Sequence, residues 1–193
     1  MKRYQKISAG FTLAELLAVV IIVGMLSILG VGYYNKSVEQ ARFREGEALG
    51  IAIAESYARW CHERMLENPT KDSCQYTSSN GTAIWTPPLS SLDIEIPHST
   101  PCNEGDLRCI KTKHFKIEFP NDGVLHVVRG DDWTKTYQLW LNPSVRIGGN
   151  QSFKDDIRCV IKKARGPEFC QAVGYLNCSV PSGQDYYACT RIK

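Results

Sequence analysis

The first third of the chain has the hydrophobic spacing of a helix. Residues 16–34 contain no charge, and about 20 apolar residues are enough to span a bilayer as a helix. Beyond them, apolar positions recur at three- and four-residue steps between charged ones, which indicates one buried face. The predicted buried positions include Ala41, Ala48, Ile53 and Tyr57, and the charged positions between them include Glu45 and Glu47. No proline occurs before Pro69, so we predict one helix over 11–67, apolar over 11–34 and amphipathic over 35–67.

The rest of the chain, 68–193, changes to a period of two. Residues 68–113 are rich in Ser, Thr, Pro, Asn and Gly, which indicates an irregular connection with one short strand at 92–96. Alternating segments then predict strands at 114–119, 124–129, 137–141 and 157–163. The pattern predicts an α+β fold in which the helix packs on an antiparallel sheet of about four strands. Residues 164–193 show little periodicity, and we expect a loop-rich tail closed by disulfides.

Eight cysteines all follow the apolar run. An even number on one side of a membrane span favours disulfides in an oxidising compartment. A zinc site typically uses cysteines only two residues apart, and no such pair occurs here. Other connectivities remain open, but we predict that sequence neighbours pair: Cys61–Cys74, Cys102–Cys109, Cys159–Cys170 and Cys178–Cys189.

Charge gives the apolar run an orientation. Three basic residues and no acid precede it: Lys2, Arg3 and Lys6. Basic residues at that flank keep it cytoplasmic, so the long C-terminal part is exported. The chain has 23 basic and 20 acidic residues, and the two kinds are equal in number without residues 1–10. This neutral remainder gives no electrostatic reason to expect nucleic acid as a specific partner.

Two ordinary interpretations of the apolar run compete. A cleavable secretory signal should be shorter and end in a small-residue site, which the sequence "SILGVGYYNKS" matches poorly. A plain membrane anchor accounts for the length but not for Glu15. An ionised acid in hydrocarbon is costly, so it indicates a functional role with a partner. The simpler alternative is that Glu15 lies at the membrane boundary and extends its carboxylate into water.

The junction of the basic leader and the apolar run resembles that of the type IV pilins and the related pseudopilins. The matching residues are Gly10, Phe11, Thr12, Leu13 and Glu15. The resemblance is specific over residues 1–34 and concerns only the architecture over 35–193. It implies the type IV pilin fold, with 11–34 as membrane span and filament core and 68–193 as the head. The chain departs from the family at Gly32, where many pilins carry a helix-kinking proline.

The resemblance also implies roles for individual residues. Residues 1–10 would be a leader that a prepilin peptidase removes after Gly10, and the amine of Phe11 would then be N-methylated. Glu15 would pair with that cationic amine, within one helix or between neighbouring subunits. The implied partners are the peptidase/N-methyltransferase, membrane lipid, an inner-membrane assembly platform and other copies of the chain. The precursor would cross the inner membrane once, N-terminus cytoplasmic and head periplasmic, before joining an extracellular pilus.

The expected function is therefore a structural pilus subunit, with no enzyme activity, cofactor or metal. A pseudopilin or minor pilin of a type II secretion or competence system remains open within the class. Outside it, a signal-anchored exported binding protein or enzyme remains open.

Candidate chemistry elsewhere in the chain is weak. Cys61 precedes His62, but adjacent helix residues point to different faces, which disfavours a nucleophile–base pair. The histidines His98, His114 and His126 follow no ligand spacing. Acidic pairs at Asp131–Asp132 and Asp155–Asp156 match no calcium-loop pattern.

Overall fold

One long helix opens the described part of the chain. The computed structural model describes residues 11–67, 76–77, 83–84, 88–103, 108–120, 124–141 and 157–191. Helix α1 extends over Leu13–Glu67, two residues shorter at its start than the sequence predicts. The chain forms two compact units, Met1–Ala41 and Arg42–Lys193, so α1 contributes residues to both.

Ten strands and three short helices follow α1 in the described residues. They are β1 (Tyr76–Thr77), β2 (Ala83–Ile84), a 3-10 helix (Leu89–Ser91), β3 (Thr100–Pro101), β4 (Cys109–Lys111), β5 (Phe115–Glu118), β6 (Leu125–Arg129), β7 (Gln138–Leu141), β8 (Ile157–Lys162), a second 3-10 helix (Lys163–Arg165), α2 (Glu168–Ala172), β9 (Asn177–Ser179) and β10 (Tyr186–Thr190). Strands β1 and β2 form a two-stranded sheet, and the other eight form one sheet in the order β3-β4-β5-β6-β7-β8-β10-β9. All neighbouring strands are antiparallel.

The main sheet has eight strands rather than the predicted four or so. Strands β5 to β8 confirm the four alternating segments. Strands β3 and β4 lie within the expected irregular connection, and β9 and β10 lie within the expected loop-rich tail, so both expectations are wrong at these places. Strands β3, β4 and β9 have only two or three residues, too few to show a period of two, and the burial of β10 does not alternate.

The predicted strand at 92–96 is also wrong, because side chains rather than a backbone ladder hold this segment. A 3-10 helix ends at Ser91, and Asp93 accepts hydrogen bonds from Arg59 Nε (2.7 Å) and Arg59 Nη2 (2.9 Å). Ser56 Oγ also donates to Asp93. These bonds, those from Arg59 above all, lower the pKa of Asp93 to about 2. The segment is therefore fastened directly to α1.

The core of the second unit lies between α1 and one face of the main sheet. Alternate residues of β5 are buried, as expected where one sheet face packs on a helix. Strand β6 buries Leu125, Val127 and Val128. The buried face of α1 agrees with the prediction at Ile53 and Tyr57, which are buried. It departs from the prediction at Ala41 and Ala48, which are exposed, and at Glu47, which is buried. α1 contributes four buried apolar residues to the core, and three partly buried ones pack against it: Phe43, Ile53, Ala54 and Tyr57, and Leu49, Ile51 and Trp60.

Two glycines allow α1 to lie close to the sheet. A Cβ added at Gly46 would lie 2.7 Å from Cε1 of Phe115. One added at Gly50 would lie 2.9 Å from Cδ1 of Leu141. The two positions are four residues apart and therefore share one helix face. Only a residue without a side chain fits there without displacing a neighbour.

Candidate assembly segment

Two of the predicted cleavage and assembly residues, Phe11 and Glu15, lie at the start of α1. Gly10 lies outside the described residues. Phe11 precedes the helix, and 84% of its surface is exposed. Glu15 lies in the first turn. Phe11 and Glu15 are thus separated by one turn of backbone.

The Glu15 carboxylate closes the start of α1 by bonding to Thr12. Oε2 accepts a hydrogen bond from the Thr12 N–H (2.8 Å) and another from Thr12 Oγ1 (2.7 Å). In return, the Glu15 N–H donates to Thr12 Oγ1 (3.3 Å). This reciprocal arrangement is a capping box, which satisfies backbone donors that have no partner within the helix. Sequence analysis missed this role of Thr12, although the Thr-x-x-Glu spacing signals it.

This partner of Glu15 is not the one that the resemblance implies. Phe11 follows Gly10 through a peptide bond, and a peptide amide carries no positive charge. An ion pair between Phe11 and Glu15 therefore requires cleavage first. Among the described residues, only Thr12 bonds to the Glu15 carboxylate, and both bonds go to Oε2. Oε1 is available for a further donor.

The described residues do not bury the apolar side chains of the first unit. Every residue from 11 to 37 whose side chain is described is exposed. Soluble monomers rarely expose a contiguous apolar patch above a few hundred Å². Within the described ranges, α1 alone is long and apolar enough to cross a membrane. Its apolar half therefore fits lipid or other apolar helices as surroundings.

The backbone of this apolar half is suited to such surroundings. α1 is continuous through Gly24, Gly30 and Gly32, so the departure at Gly32 produces no break in the helix. Ser27 Oγ donates to the carbonyl oxygen of Val23 (2.7 Å), which satisfies its hydroxyl inside the helix. Internal satisfaction of polar groups is what an apolar environment demands.

The disulfides confirm three of the predicted pairs. Cys102–Cys109, Cys159–Cys170 and Cys178–Cys189 are bonded, with Cα–Cα distances of 5.4, 5.8 and 3.9 Å. Cys61 is disulfide-bonded too, and its predicted partner Cys74 lies outside the described residues. Cys61 therefore offers no free thiol for the nucleophile considered from the sequence.

The remaining candidate residues have local roles and do not form a common site. Asp131 forms an ion pair with Lys111 (2.8 Å). Asp132 accepts a hydrogen bond from Thr134 Oγ1 (2.6 Å), whereas Asp155 and Asp156 lie outside the described residues. The His126 ring stacks on Trp140, with centroids 5.3 Å apart. The carbonyl oxygen of His114 accepts a hydrogen bond from Arg129 Nη1 (3.0 Å), and His98 has a φ of 54°. In the part of the chain that the structure covers, no three His, Cys, Asp or Glu side chains could hold a metal ion.

Comparison with known proteins does not assign the chain to a family. No protein-family model matches the chain, and no curated protein or solved structure shows significant similarity to it. The features of the chain that bear on its function are therefore the chemistry of the assembly segment and the architecture around it.

Proposed function

We propose that the chain is the precursor of a type IV pilus subunit, a structural protein cleaved between Gly10 and Phe11. This proposal rests on the uncovered apolar part of α1, residues 13–34, which has a single carboxylate, Glu15, in its first turn. The precursor crosses the inner membrane once, with its head in the periplasm. Polymerisation then places the subunit in an extracellular filament.

Cleavage creates the charge that Glu15 requires. It converts the neutral amide of Phe11 into a cationic amine in apolar surroundings. A buried ion pair that loses one member costs about 3–5 kcal/mol, so a subunit entering the filament favours a neighbour whose amine reaches its carboxylate. Thr12 holds Oε2 and leaves Oε1 for that amine. The pair sets the axial register, and burial of apolar helix surface away from water supplies cohesion.

The mature N-terminus is the decisive measurement. Mass spectrometry of the protein from its own cells should find Phe11, carrying one methyl group, as the first residue. Gly10→Val should leave the precursor uncut, because the peptidase needs a small residue there, and Gly32→Ala is the matched glycine control that should be processed normally. Retention of Met1, or a first residue near Tyr33, would contradict the proposal and favour a signal-anchored exported protein.

A further inference from the structure

A buried carboxylate in the second unit receives donors from distant parts of the chain. Glu47 of α1 is only 5% exposed. Its Oε1 accepts a hydrogen bond from Tyr175 Oη (2.7 Å) and pairs with Arg191 Nη2 (2.5 Å). Its Oε2 accepts from Arg44 Nη1 (2.8 Å). Arg44 Nη2 also donates to the carbonyl oxygen of Val173 (2.8 Å).

Separating these groups would cost the two arginines less free energy than it would cost Glu47 and Tyr175. The side chains of Arg44 and Arg191 are 50% and 49% exposed, so both guanidinium groups can regain water. Glu47 and Tyr175 are buried, and a buried acid without its partners bears a desolvation penalty. Burial, followed by the bond to Glu47, raises the pKa of the Tyr175 hydroxyl above its ordinary range. Tyr175 is therefore a neutral donor, and the negative charge of Glu47 lies between two cations.

The segment that carries Tyr175 contains an edge strand of the main sheet, although its Val173 and Tyr175 belong to the buried core. Residues 173–180 include β9, which pairs with β10 through three residues and the Cys178–Cys189 disulfide. By contrast, neighbouring strands among β5 to β8 pair through four residues each. The Tyr175 ring packs edge-on against Phe43, with centroids 5.6 Å apart. Glu47 thus helps to hold the Tyr175 ring against Phe43, which also contacts the rings of Tyr137 and Phe169.

We propose that Glu47 is a charge-dependent clamp on the 173–180 segment. Replacing this carboxylate by a neutral side chain leaves the two arginines without their negative partner, so the segment opens and the Tyr175 ring separates from Phe43. Strands β5 to β8 stay folded, because their ladders and apolar contacts do not involve Glu47. The clamp belongs to the second unit alone and does not depend on the proposed assembly.

Peptide-resolved hydrogen–deuterium exchange of the full chain in detergent micelles tests the clamp. In Glu47→Gln, exchange within 173–180 should rise about tenfold or more, the equivalent of losing roughly one charge-assisted bond. Peptides from β5 to β8 should exchange as in the wild type. Glu45→Gln is the matched control, since Glu45 is an exposed acid two residues away on α1, and it should change nothing. Unchanged exchange in 173–180, or an equal rise across β5 to β8, would overturn the proposal.

A milder variant covers the case in which Glu47→Gln does not accumulate. Arg191→Gln removes one half-exposed cation and leaves Arg44 and Tyr175 on the carboxylate. Exchange should rise in the same 173–180 peptides, by a smaller factor of about two to five. Wild-type exchange there in Arg191→Gln would also overturn the clamp.

Discussion

At the scale of single residues, Glu15 combines a structural bond with a proposed functional one. Through Oε2 it caps α1 by binding Thr12, which compensates part of the cost of keeping an acid near apolar surroundings. Its other oxygen lacks a donor among the described residues. A carboxylate held in one orientation with one free oxygen is suited to receiving a single cation.

Glu15→Ala should abolish filaments and leave membrane insertion intact. Insertion should not suffer, because the substitution makes the helix more apolar. Assembly should fail, since the Phe11 amine would lack a partner at a cost of about 3–5 kcal/mol. Sheared-filament yield at matched cellular subunit levels measures the effect, with Glu45→Ala as the control acid on the same helix. Abundant filaments from Glu15→Ala subunits alone would support the membrane-boundary alternative instead.

Asp93→Asn should destabilise the second unit in a pH-dependent way. The pKa of Asp93 is lowered from 3.8 to about 2 by Arg59 and Ser56. Its stabilising contribution is therefore present above about pH 4 and is lost as the pH falls through 2. Melting temperatures across a pH series should show the largest wild-type advantage near neutrality and convergence at low pH. Asp131→Asn, which removes an exposed ion pair, should show little difference at any pH.

The residues with buried or capping roles show where sequence patterns stop being informative. Glu15 is conspicuous because no other acid lies in the apolar run. Glu47 occupies a position that the pattern assigns to solvent, and it is buried because Tyr175 and Arg191 supply donors from far along the chain. Helical periodicity carries no information about such partners.

At the scale of elements, the contact between α1 and the sheet depends on missing side chains. Glycine lowers helix propensity by roughly 1 kcal/mol relative to alanine, so Gly46 and Gly50 weaken a prediction of helix from sequence. Their value becomes visible only when Phe115 and Leu141 are seen against them. The close packing of α1 on the sheet offsets the loss of helix propensity at these two glycines.

Gly50→Ala should therefore destabilise the second unit despite improving helix propensity. Its Cβ would meet Leu141 and Val127 at 2.9 and 3.1 Å, and overpacking of this kind costs about 1–3 kcal/mol. Thermal or denaturant unfolding of the full chain should register the loss. Gly32→Ala has no atom within 4 Å of its added Cβ and should leave the transition unchanged. Equal stability of Gly50→Ala and wild type would contradict the close approach.

Strand prediction succeeded at β5, where burial alternates, and failed at β9, where other constraints dominate. Phe115 and Ile117 alternate with half-buried residues, so β5 is visible in the sequence. Strand β9 has three residues, and Cys178 faces Cys189 directly across the ladder. Its pairing is fixed by that disulfide and by the neighbouring β10, and neither produces a hydrophobic period.

At the scale of the whole molecule, the two units differ in how much of their apolar surface the described chain buries. The second unit encloses its own core, to which the described part of α1 contributes from Phe43 onward. The first unit buries none of its described side chains from 11 to 37. Folding of the second unit therefore requires the later part of α1, whereas the described residues leave the apolar surface of the earlier part uncovered.

Removing residues 1–35 should yield a folded protein that is soluble without detergent. The shortened chain keeps Phe43 and Glu47 and loses the exposed apolar run. Circular dichroism should show a cooperative thermal transition, and light scattering should give a monomer mass. The matched control begins at Ile51 and lacks Phe43, whose loss alone removes about 3–5 kcal/mol from a typical total stability of about 5–15 kcal/mol. This control should lose cooperativity. Aggregation of the chain that begins at Lys36 would show that the second unit also needs residues before Lys36. Cooperative folding of the chain that begins at Ile51 would show that it does not need Phe43.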